Sequence, residues 1–265
     1  MQSYDLDQLH RHNERIGTEL QLAVQRFVLI YIFGLIVYPV LHFLFKLEIR
    51  GRHIIGGVGE RFVYAAQHFY EWDPLLLWCA GVWPLALQRQ YFIANSIGGT
   101  FWARSSLLRA LSWVLGIMFT IKGHEPKNGS IERAARLLNG PLPLTIAIYP
   151  TGPIGRKRES RIYRGISFLA EYCPKTPIVP VALRGLQEIT IWEVLQLKRP
   201  RLVIEFSPPI FGADLLNREP AERMPALHEM LADAWSGGRL STLREVQAPE
   251  AIPEPLPKES VTSNA

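Results

Sequence analysis

Apolar positions along the chain alternate between short continuous runs and repeats of three to four residues. The short runs predict strands at 61–67, 89–94, 116–122, 144–149, 177–183 and 201–206. The repeats predict helices at 74–83, 105–115, 131–138, 164–172 and 189–197, and a last helix at 220–235. Strands that alternate with helices in this way predict an α/β domain.

A long apolar stretch near the N-terminus, FVLIYIFGLIVYPVLHFLF at 27–45, contains 19 residues without a formal charge. As one helix it is about 28 Å long, close to the thickness of the hydrocarbon core of a bilayer. A polar lead precedes it and no small-residue cleavage site follows, so we expect a membrane anchor and no signal peptide. Pro39 and His42 disfavour a straight crossing, and basic residues flank both sides. A full span and a re-entrant anchor both fit.

The chain divides into three parts. Residues 1–45 form a polar lead and anchor, 46–240 the α/β domain, and 241–265 a tail rich in Pro, Glu, Ala and Ser that we expect to be disordered. The net charge of +5 and the pI near 9.3 favour an anionic partner. The chain lacks a recognised nucleic-acid module, so we expect no nucleic-acid partner. Its two cysteines have no metal-ligand spacing, and we expect no metal site.

The candidate chemistry begins at the end of the first predicted strand. His68 and Asp73 lie five positions apart, where an apolar run gives way to a loop and then to a helical pattern. A turn there can fold the carboxylate back onto the imidazole, and a neutral imidazole held in one tautomer is a general base for a hydroxyl group. His228 and Asp233 have the same spacing, but they lie inside one helical pattern that turns the two side chains apart.

Two other interpretations of this pair stay open from the residues alone. Asp73 can be a helix N-cap with Pro74 at the first helical position, and His68 can simply end a strand. A serine hydrolase also uses His and Asp. The chain, however, contains no Gly-x-Ser-x-Gly nucleophile motif.

Four pieces of the chain resemble, in order, the motifs of the PlsC-like glycerolipid (1-acylglycerol-3-phosphate) acyltransferase family, and the resemblance covers about 46–206. HFYEWD at 68–73 is similar to its histidine-four-residues-aspartate motif. GIMFTIK at 116–122 is similar to its second motif, with Lys122 in place of arginine. PIVPVAL at 177–183 is similar to its Val-Pro-Val motif, and RG at 164–165 to the helix start before it. The resemblance implies a mixed sheet flanked by helices, with an N-terminal membrane-anchoring helical segment.

The third piece, YPTGPIGR at 149–156, departs from the family's Phe-Pro-Glu-Gly-Thr-Arg motif, which helps to hold the phosphate-bearing acceptor. Thr151 replaces the glutamate and Ile154 stands at the arginine position. Basic residues crowd the next segment, and a guanidinium can bind phosphate through two hydrogen bonds. A solvated basic loop, or one that touches anionic headgroups, is the alternative. The candidate substrate-binding residues are Lys122, Thr151, Gly152, Arg156 and Arg164.

The resemblance implies transfer of a fatty acyl group from acyl-CoA or acyl carrier protein to the hydroxyl of a lysolipid such as lysophosphatidic acid, a step of phospholipid biosynthesis that needs no cofactor. His68 is then the general base and Asp73 orients it. Membrane phospholipid is a further implied partner, and we expect the catalytic domain on the cytoplasmic face. The alternative is a non-catalytic acyltransferase-like membrane protein that binds lipid or assembles with a partner.

Overall fold

The computed structural model describes residues 6–67, 73, 76–77, 89–94, 105–120, 129–151, 162, 164–185, 189 and 191–236. The expected disordered tail at 241–265 lies outside these residues. The described strands are β1 (Lys46–Arg50), β2 (Phe62–Ala66), β3 (Arg89–Ala94), β4 (Ile117–Phe119), β5 (Leu144–Ile148), β6 (Pro177–Arg184), β7 (Arg201–Phe206) and β8 (Ile210–Phe211).

The helices share a pattern in which one apolar face packs on the sheet or on a neighbouring helix. The described ones are α1 (Leu6–Arg15), α2 (Glu19–Phe27), α3 (Tyr38–Leu44), α4 (Arg52–Gly57), α5 (Ser106–Val114), α6 (Ser130–Leu138), α7 (Gly165–Tyr172), α8 (Ile191–Leu195), α9 (Gly212–Leu216) and α10 (Pro220–Ser236).

The described strands form one eight-stranded sheet in the order β1-β7-β6-β2-β5-β3-β4, and β8 pairs with β6. Strands β6, β2, β5, β3 and β4 run parallel to their neighbours. Strand β6 is antiparallel to β7 and β8, whereas β1 is parallel to β7. The sheet is therefore mixed, as expected. The carboxyl ends of its five parallel strands lie along one edge, which is where open α/β sheets bind ligands.

The two faces of the sheet belong to separate apolar cores, because successive side chains of a strand point to opposite faces. One core contains Ala65 and Ile146 and includes side chains of α6, α7 and α10. The other contains Tyr64 and Val179 and includes side chains from the N-terminal helices, together with Leu76 and Leu77. Helical segments thus cover both faces, which makes the domain a three-layer α/β sandwich.

The predicted anchor is part of a longer helix. Helices α2 and α3 and the π-helical turns between them (Val28–Val37) form a continuous helix, Glu19–Leu44, of 26 residues with a mean hydropathy of 2.3 in its most apolar window. By length and composition this helix can cross a membrane, a criterion that core helices and signal sequences also meet. Only 22% of that window is buried, which is unlike a core helix. Pro39 does not end the helix, so the chain forms no separate helix pair at this point.

One side of this helix packs on the domain and the other is apolar and exposed. Leu29 and Phe33 belong to the core beneath the sheet. Leu35 and Phe43, by contrast, are 60% and 62% exposed. The polar side chain of Gln25 on the packed side donates to the carbonyl of Leu115 at 3.0 Å. Water does not favour such an apolar stripe, so the exposed side is suited to contact with lipid.

The described structure adds elements that the pattern did not predict. Strand β1 has the sequence KLEIR, whose charged residues hide its apolar alternation, and it pairs along β7 with Lys46 opposite Arg201. Helix α1 comes from the polar lead. Asn13 on this helix donates from Nδ2 to the carbonyl of Phe119 and accepts from the Phe119 N–H, both at 2.8 Å. The lead is therefore bonded to the open side of the edge strand β4 and is not a free extension.

Candidate active site

The predicted motifs follow strands that end side by side at the carboxyl edge of the parallel sheet. Strand β2 ends at Ala66, which lies opposite Val181, and the next residue, Gln67, donates from its backbone N–H to the carbonyl of Val181 at 3.4 Å. Ala65 pairs with Ile148 at the end of β5. The segments that leave β2 and β5 therefore start next to each other, although they belong to different motifs.

Asp73 lies in a helical turn beyond β2, and its side chain is 0% exposed. Taking a carboxylate out of water is costly unless hydrogen bonds or charges compensate. A residue type that is rarely buried is therefore held inside the protein seven residues after the end of β2, the strand that precedes His68 in the sequence.

Tyr149 is the nearby group that the sequence analysis treated only as part of a motif. It follows β5, and its hydroxyl oxygen is buried. Burial raises the pKa of the Tyr149 hydroxyl well above its usual value, and the negative charge of Asp73 raises it further. The phenol of Tyr149 therefore stays protonated, and it lies close enough to Asp73 for the charge of that carboxylate to affect its pKa. The sequence does contain a signal for this residue, because Tyr149 carries a hydroxyl where the Phe-Pro-Glu-Gly-Thr-Arg motif of the family has phenylalanine.

Two of the candidate substrate-binding residues lie near the same edge. Thr151 is partly exposed in the turn that follows β5. Arg164 is exposed and directly precedes α7. A Cβ atom placed on Gly165 would lie 3.4 Å from Cδ1 of Ile148, so the start of α7 packs against the end of β5. The structure therefore brings Asp73, Thr151 and Arg164 to one end of the sheet.

The other predicted site residues, His68, Lys122, Gly152 and Arg156, lie outside the described residues. Two of these residues follow described strands in the sequence. His68 comes two residues after the end of β2, and Lys122 comes three residues after the end of β4. Phe119, the last residue of β4, pairs with Ala94, the last residue of β3. The strands β2 and β4 thus both end at the carboxyl edge of the parallel sheet.

Within the described part of the chain, no group of three or more His, Cys, Asp or Glu side chains is arranged to hold a metal ion. Cys173 is buried, and burial raises the pKa of its thiol to about 11. A thiol with this pKa is not a ready nucleophile at neutral pH.

A domain with this mixed sheet and a buried carboxylate after its second strand matches the family model of the acyltransferases over residues 46–184. That match covers more than half of the chain, and the protein therefore belongs to the acyltransferase family, which confirms the family predicted from the motifs.

Among solved structures, the chain is similar to the crystal structure of the 1-acyl-sn-glycerophosphate (LPA) acyltransferase PlsC from Thermotoga maritima. The identity is 14% and the TM-score 0.49, over 87% of this chain and 93% of that one. No curated protein matches the chain.

Proposed function

We propose that this acyltransferase moves a fatty acyl group from the thioester of acyl-CoA or acyl carrier protein to the hydroxyl of a glycerolipid, lysophosphatidic acid or a related lysolipid. The proposal assigns His68 as the general base and Asp73 as the residue that orients it. The observation that carries it is the complete burial of Asp73 at the carboxyl edge of the sheet, inside the segment that matches the family.

The proposed reaction needs one proton carrier and no covalent enzyme intermediate. The Nε2 or Nδ1 atom of His68 takes the proton of the acceptor hydroxyl while its oxygen attacks the thioester carbonyl. The new C–O bond forms, the C–S bond breaks, and the thiolate leaves with the proton that the imidazolium returns. Asp73 fixes the tautomer of the imidazole and stabilises its cation, as the carboxylate does in a catalytic triad. Thr151 and Gly152 are our candidates to stabilise the oxyanion.

Acceptor binding is assigned to Lys122, Arg156 and Arg164. A guanidinium binds a phosphate through two hydrogen bonds, and a lysine contributes a point charge. Arg164 supports this assignment because it is exposed at the edge that carries Asp73. Threonine at 151 and isoleucine at 154 remove a carboxylate and a guanidinium from the family motif, so we expect an acceptor preference that differs from that of relatives with the full motif.

Membrane attachment is proposed to occur through the helix Glu19–Leu44. Since one side of this helix is packed on the domain, lipid reaches only the side that carries Leu35 and Phe43. A helix with that arrangement lies along the interface of one leaflet. The acyl chains of both substrates then remain in the membrane while their reactive groups reach the carboxyl edge of the sheet. We place the catalytic domain on the cytoplasmic face, where acyl-CoA and acyl carrier protein occur.

The test is an acyl-transfer assay with the full chain in phospholipid vesicles. Radiolabelled acyl-CoA or acyl carrier protein is offered with a panel of lysolipids, and labelled diacyl product is counted. His68→Ala should reduce product formation to background, whereas His53→Ala removes an exposed histidine of α4 and should leave the rate unchanged. Undiminished transfer by a purified His68→Ala protein rules out the assignment of the base.

The second candidate is a lipid-binding or assembly protein without turnover, and the altered third motif is the observation that favours it. It predicts that the vesicle-bound, folded chain forms no product with any lysolipid or donor in the panel. Lysolipid binding that persists equally in wild type and His68→Ala, again without product, establishes this candidate. Any transfer that depends on His68 excludes it.

A further inference from the structure

Helix α8 and the residues that follow it present exposed apolar and basic side chains at the carboxyl edge of the sheet. We call this segment, residues 191–200, the α8 turn. Trp192 is 68% and Leu197 52% exposed, and Lys198 and Arg199 are exposed as well. The α8 turn connects β6, one of the parallel strands, to its antiparallel neighbour β7. It therefore lies at the edge where the parallel strands end, although it contains no candidate catalytic or substrate-binding residue.

The α8 turn is on the same side of the sheet as the apolar helix Glu19–Leu44. Val194 packs against the core that contains Leu29 and Phe33 of that helix. Trp192 is two positions from Val194, and two positions on a helix are about 200° apart. The indole of Trp192 therefore faces away from this core, as does the exposed apolar side of the long helix.

One hydrogen bond joins the α8 turn to the C-terminal end of the apolar helix. The guanidinium of Arg199 donates from Nη2 to the carbonyl of His42 at 2.8 Å. This carbonyl belongs to the last turn of the helix, where carbonyls lack partners within the helix and favour a cation. Phe43, the next residue, is 62% exposed. The α8 turn thus lies next to the exposed apolar side of the helix and extends it.

The backbone of the α8 turn makes Leu197 informative. The N–H of Lys198 bonds the carbonyl of Glu193, and the N–H of Leu197 bonds that of Val194, each at 3.0 Å, which is the pattern of a Schellman motif. Leu197 is in the left-handed conformation, with a φ of 53°. Glycine is favoured at that position because it has no Cβ atom. A leucine is disfavoured there by the backbone and by water, so an apolar phase outside the chain is what can stabilise it.

The composition of the α8 turn matches the boundary between a membrane and water. Tryptophan is enriched at that level of a bilayer, because its ring is apolar and its N–H is polar. Lysine and arginine keep their charges in the headgroup layer, where anionic lipids attract them. Glu193 is half-buried, so basic groups dominate the exposed part of the α8 turn.

We propose that the α8 turn is a second membrane contact, with Trp192 and Leu197 inserted at the level of the headgroups and Lys198 against anionic phosphates. The proposal rests on the proposed attachment of the helix Glu19–Leu44, and it adds orientation to attachment. A single helix leaves the domain free to rotate about the helix axis, whereas two contacts fix that rotation. The carboxyl edge of the sheet then faces the lipid from which the acceptor enters.

The first test separates membrane contact from a structural role of Leu197. Leu197→Gly removes a side chain from a left-handed position, so the midpoint of urea unfolding should rise or stay constant. The same change removes an inserted side chain, and we expect partitioning of the full chain into phosphatidylcholine vesicles to weaken at least about fivefold. Leu216→Ala, at an exposed leucine of α9, is the control and should leave partitioning unchanged. Unchanged partitioning of Leu197→Gly overturns the proposal.

The second test uses quenching of tryptophan fluorescence by brominated lipid. Trp192→Phe should bind vesicles as the wild type does, because phenylalanine also inserts, but it should lose part of the quenchable fluorescence. Trp235→Phe is the control, since Trp235 is 7% exposed in the core on the other face of the sheet and should not contribute to quenching. Equal quenchable fluorescence in Trp192→Phe and wild type overturns the proposal.

The third test compares vesicles of phosphatidylcholine with vesicles that also contain phosphatidylglycerol. Lys198→Gln should weaken partitioning into the anionic vesicles by about fivefold, the contribution of one basic residue near an anionic surface, and should not alter partitioning into the neutral ones. Lys175→Gln removes an exposed lysine before β6, at the opposite edge, and should alter neither. Equal partitioning of the two variants into anionic vesicles counts against the proposal.

Leu35→Asp distinguishes this proposal from the attachment of the helix, because it should weaken partitioning into both kinds of vesicle. Weak binding of Leu35→Asp with wild-type binding of Leu197→Gly overturns the α8 contact and leaves the helix attachment intact. A wild-type chain that does not bind vesicles overturns both. Weaker binding of acyl carrier protein by Leu197→Gly, with vesicle binding unchanged, assigns the surface to a protein partner and overturns the membrane contact.

Discussion

The buried carboxylate of Asp73 acts on the hydroxyl of Tyr149, a residue from a different motif at the end of a neighbouring strand. The pKa of Tyr149 is raised first by burial and then by the charge of Asp73. The two groups therefore lie within electrostatic reach inside the protein, where the screening by water is weak. The raised pKa keeps the phenol protonated, so Tyr149 adds no second negative charge near the buried carboxylate.

Replacement of Asp73 by asparagine tests this relationship together with the proposed mechanism. Asparagine has nearly the same shape but no charge, so in the proposed mechanism the imidazole of His68 loses the carboxylate that stabilises its cation. We expect kcat for acyl transfer to fall by at least about 100-fold, since the corresponding change in a catalytic triad costs far more. The pKa of Tyr149 should also fall, which a spectroscopic titration of tyrosine absorbance detects.

Asp214→Asn is the control for this substitution, because Asp214 is exposed in the first turn of α9. It should change neither the rate nor the tyrosine titration. Wild-type turnover by the Asp73→Asn protein contradicts the role of the carboxylate.

Stability should decrease at alkaline pH because of Tyr64 and Tyr149. Burial raises the pKa of both hydroxyls in the folded protein above the usual value of 10.0. Above pH 10 the unfolded chain releases these protons while the folded chain keeps them, so the unfolded state gains stability as the pH rises. The ionisation of these two hydroxyls should leave the free energy of unfolding unchanged below about pH 9 and should lower it above pH 10.

Tyr64→Phe should make that alkaline decline shallower. Among the described residues, the Tyr64 hydroxyl has no hydrogen-bond partner, so its removal should be neutral or stabilising by up to about 1 kcal/mol at pH 7. Denaturant unfolding at pH 7 and pH 10.5 measures both effects. An identical pH dependence in Tyr64→Phe and wild type is the result that goes against this assignment.

Asn13→Ala should destabilise the domain by about 2–4 kcal/mol, because it removes two buried hydrogen bonds and leaves the backbone of Phe119 with unsatisfied groups. The free energy of unfolding by urea is the measurement. Asn139→Ala is the control, since the bond of Asn139 to the carbonyl of Tyr172 at 3.2 Å is exposed and its other side-chain partner is the weakly bonding thiol of Cys173. It should cost less than about 1 kcal/mol. Equal losses in the two variants contradict the proposed attachment of the lead to β4.

Leu35→Asp tests the orientation of the apolar helix. The side chain is 60% exposed on the side assigned to lipid, and a charge there opposes insertion. We expect a smaller fraction of the Leu35→Asp protein than of the wild type to sediment with vesicles. The decrease should correspond to at least about tenfold weaker partitioning into the membrane. Leu216→Asp, at a 38% exposed leucine of α9, should not alter sedimentation. If both variants bind vesicles as the wild type does, the helix is not the attachment surface.

Much of the fold could be predicted because its signals are local. The six predicted strands are present, since continuous apolar runs identify buried strands wherever they lie in the sheet. Strand β1 was missed because three of its five residues are charged, and it becomes a strand through its pairing with β7. Helix α1 was missed for a related reason. The stability of α1 depends on its packing against β4, and the polar sequence of the lead gives no sign of that contact.

The sequence by itself determined the α/β class, the order of the acyltransferase motifs, the spacing of His68 and Asp73 and the apolar segment near the N-terminus. Each of these is a property of neighbouring residues. Only the tertiary structure decided that Asp73 is buried beside Tyr149 and that Arg199 bonds to the end of the apolar helix. Such proximities arise when strand pairing and helix packing bring distant segments together, and no local pattern encodes the distance between them.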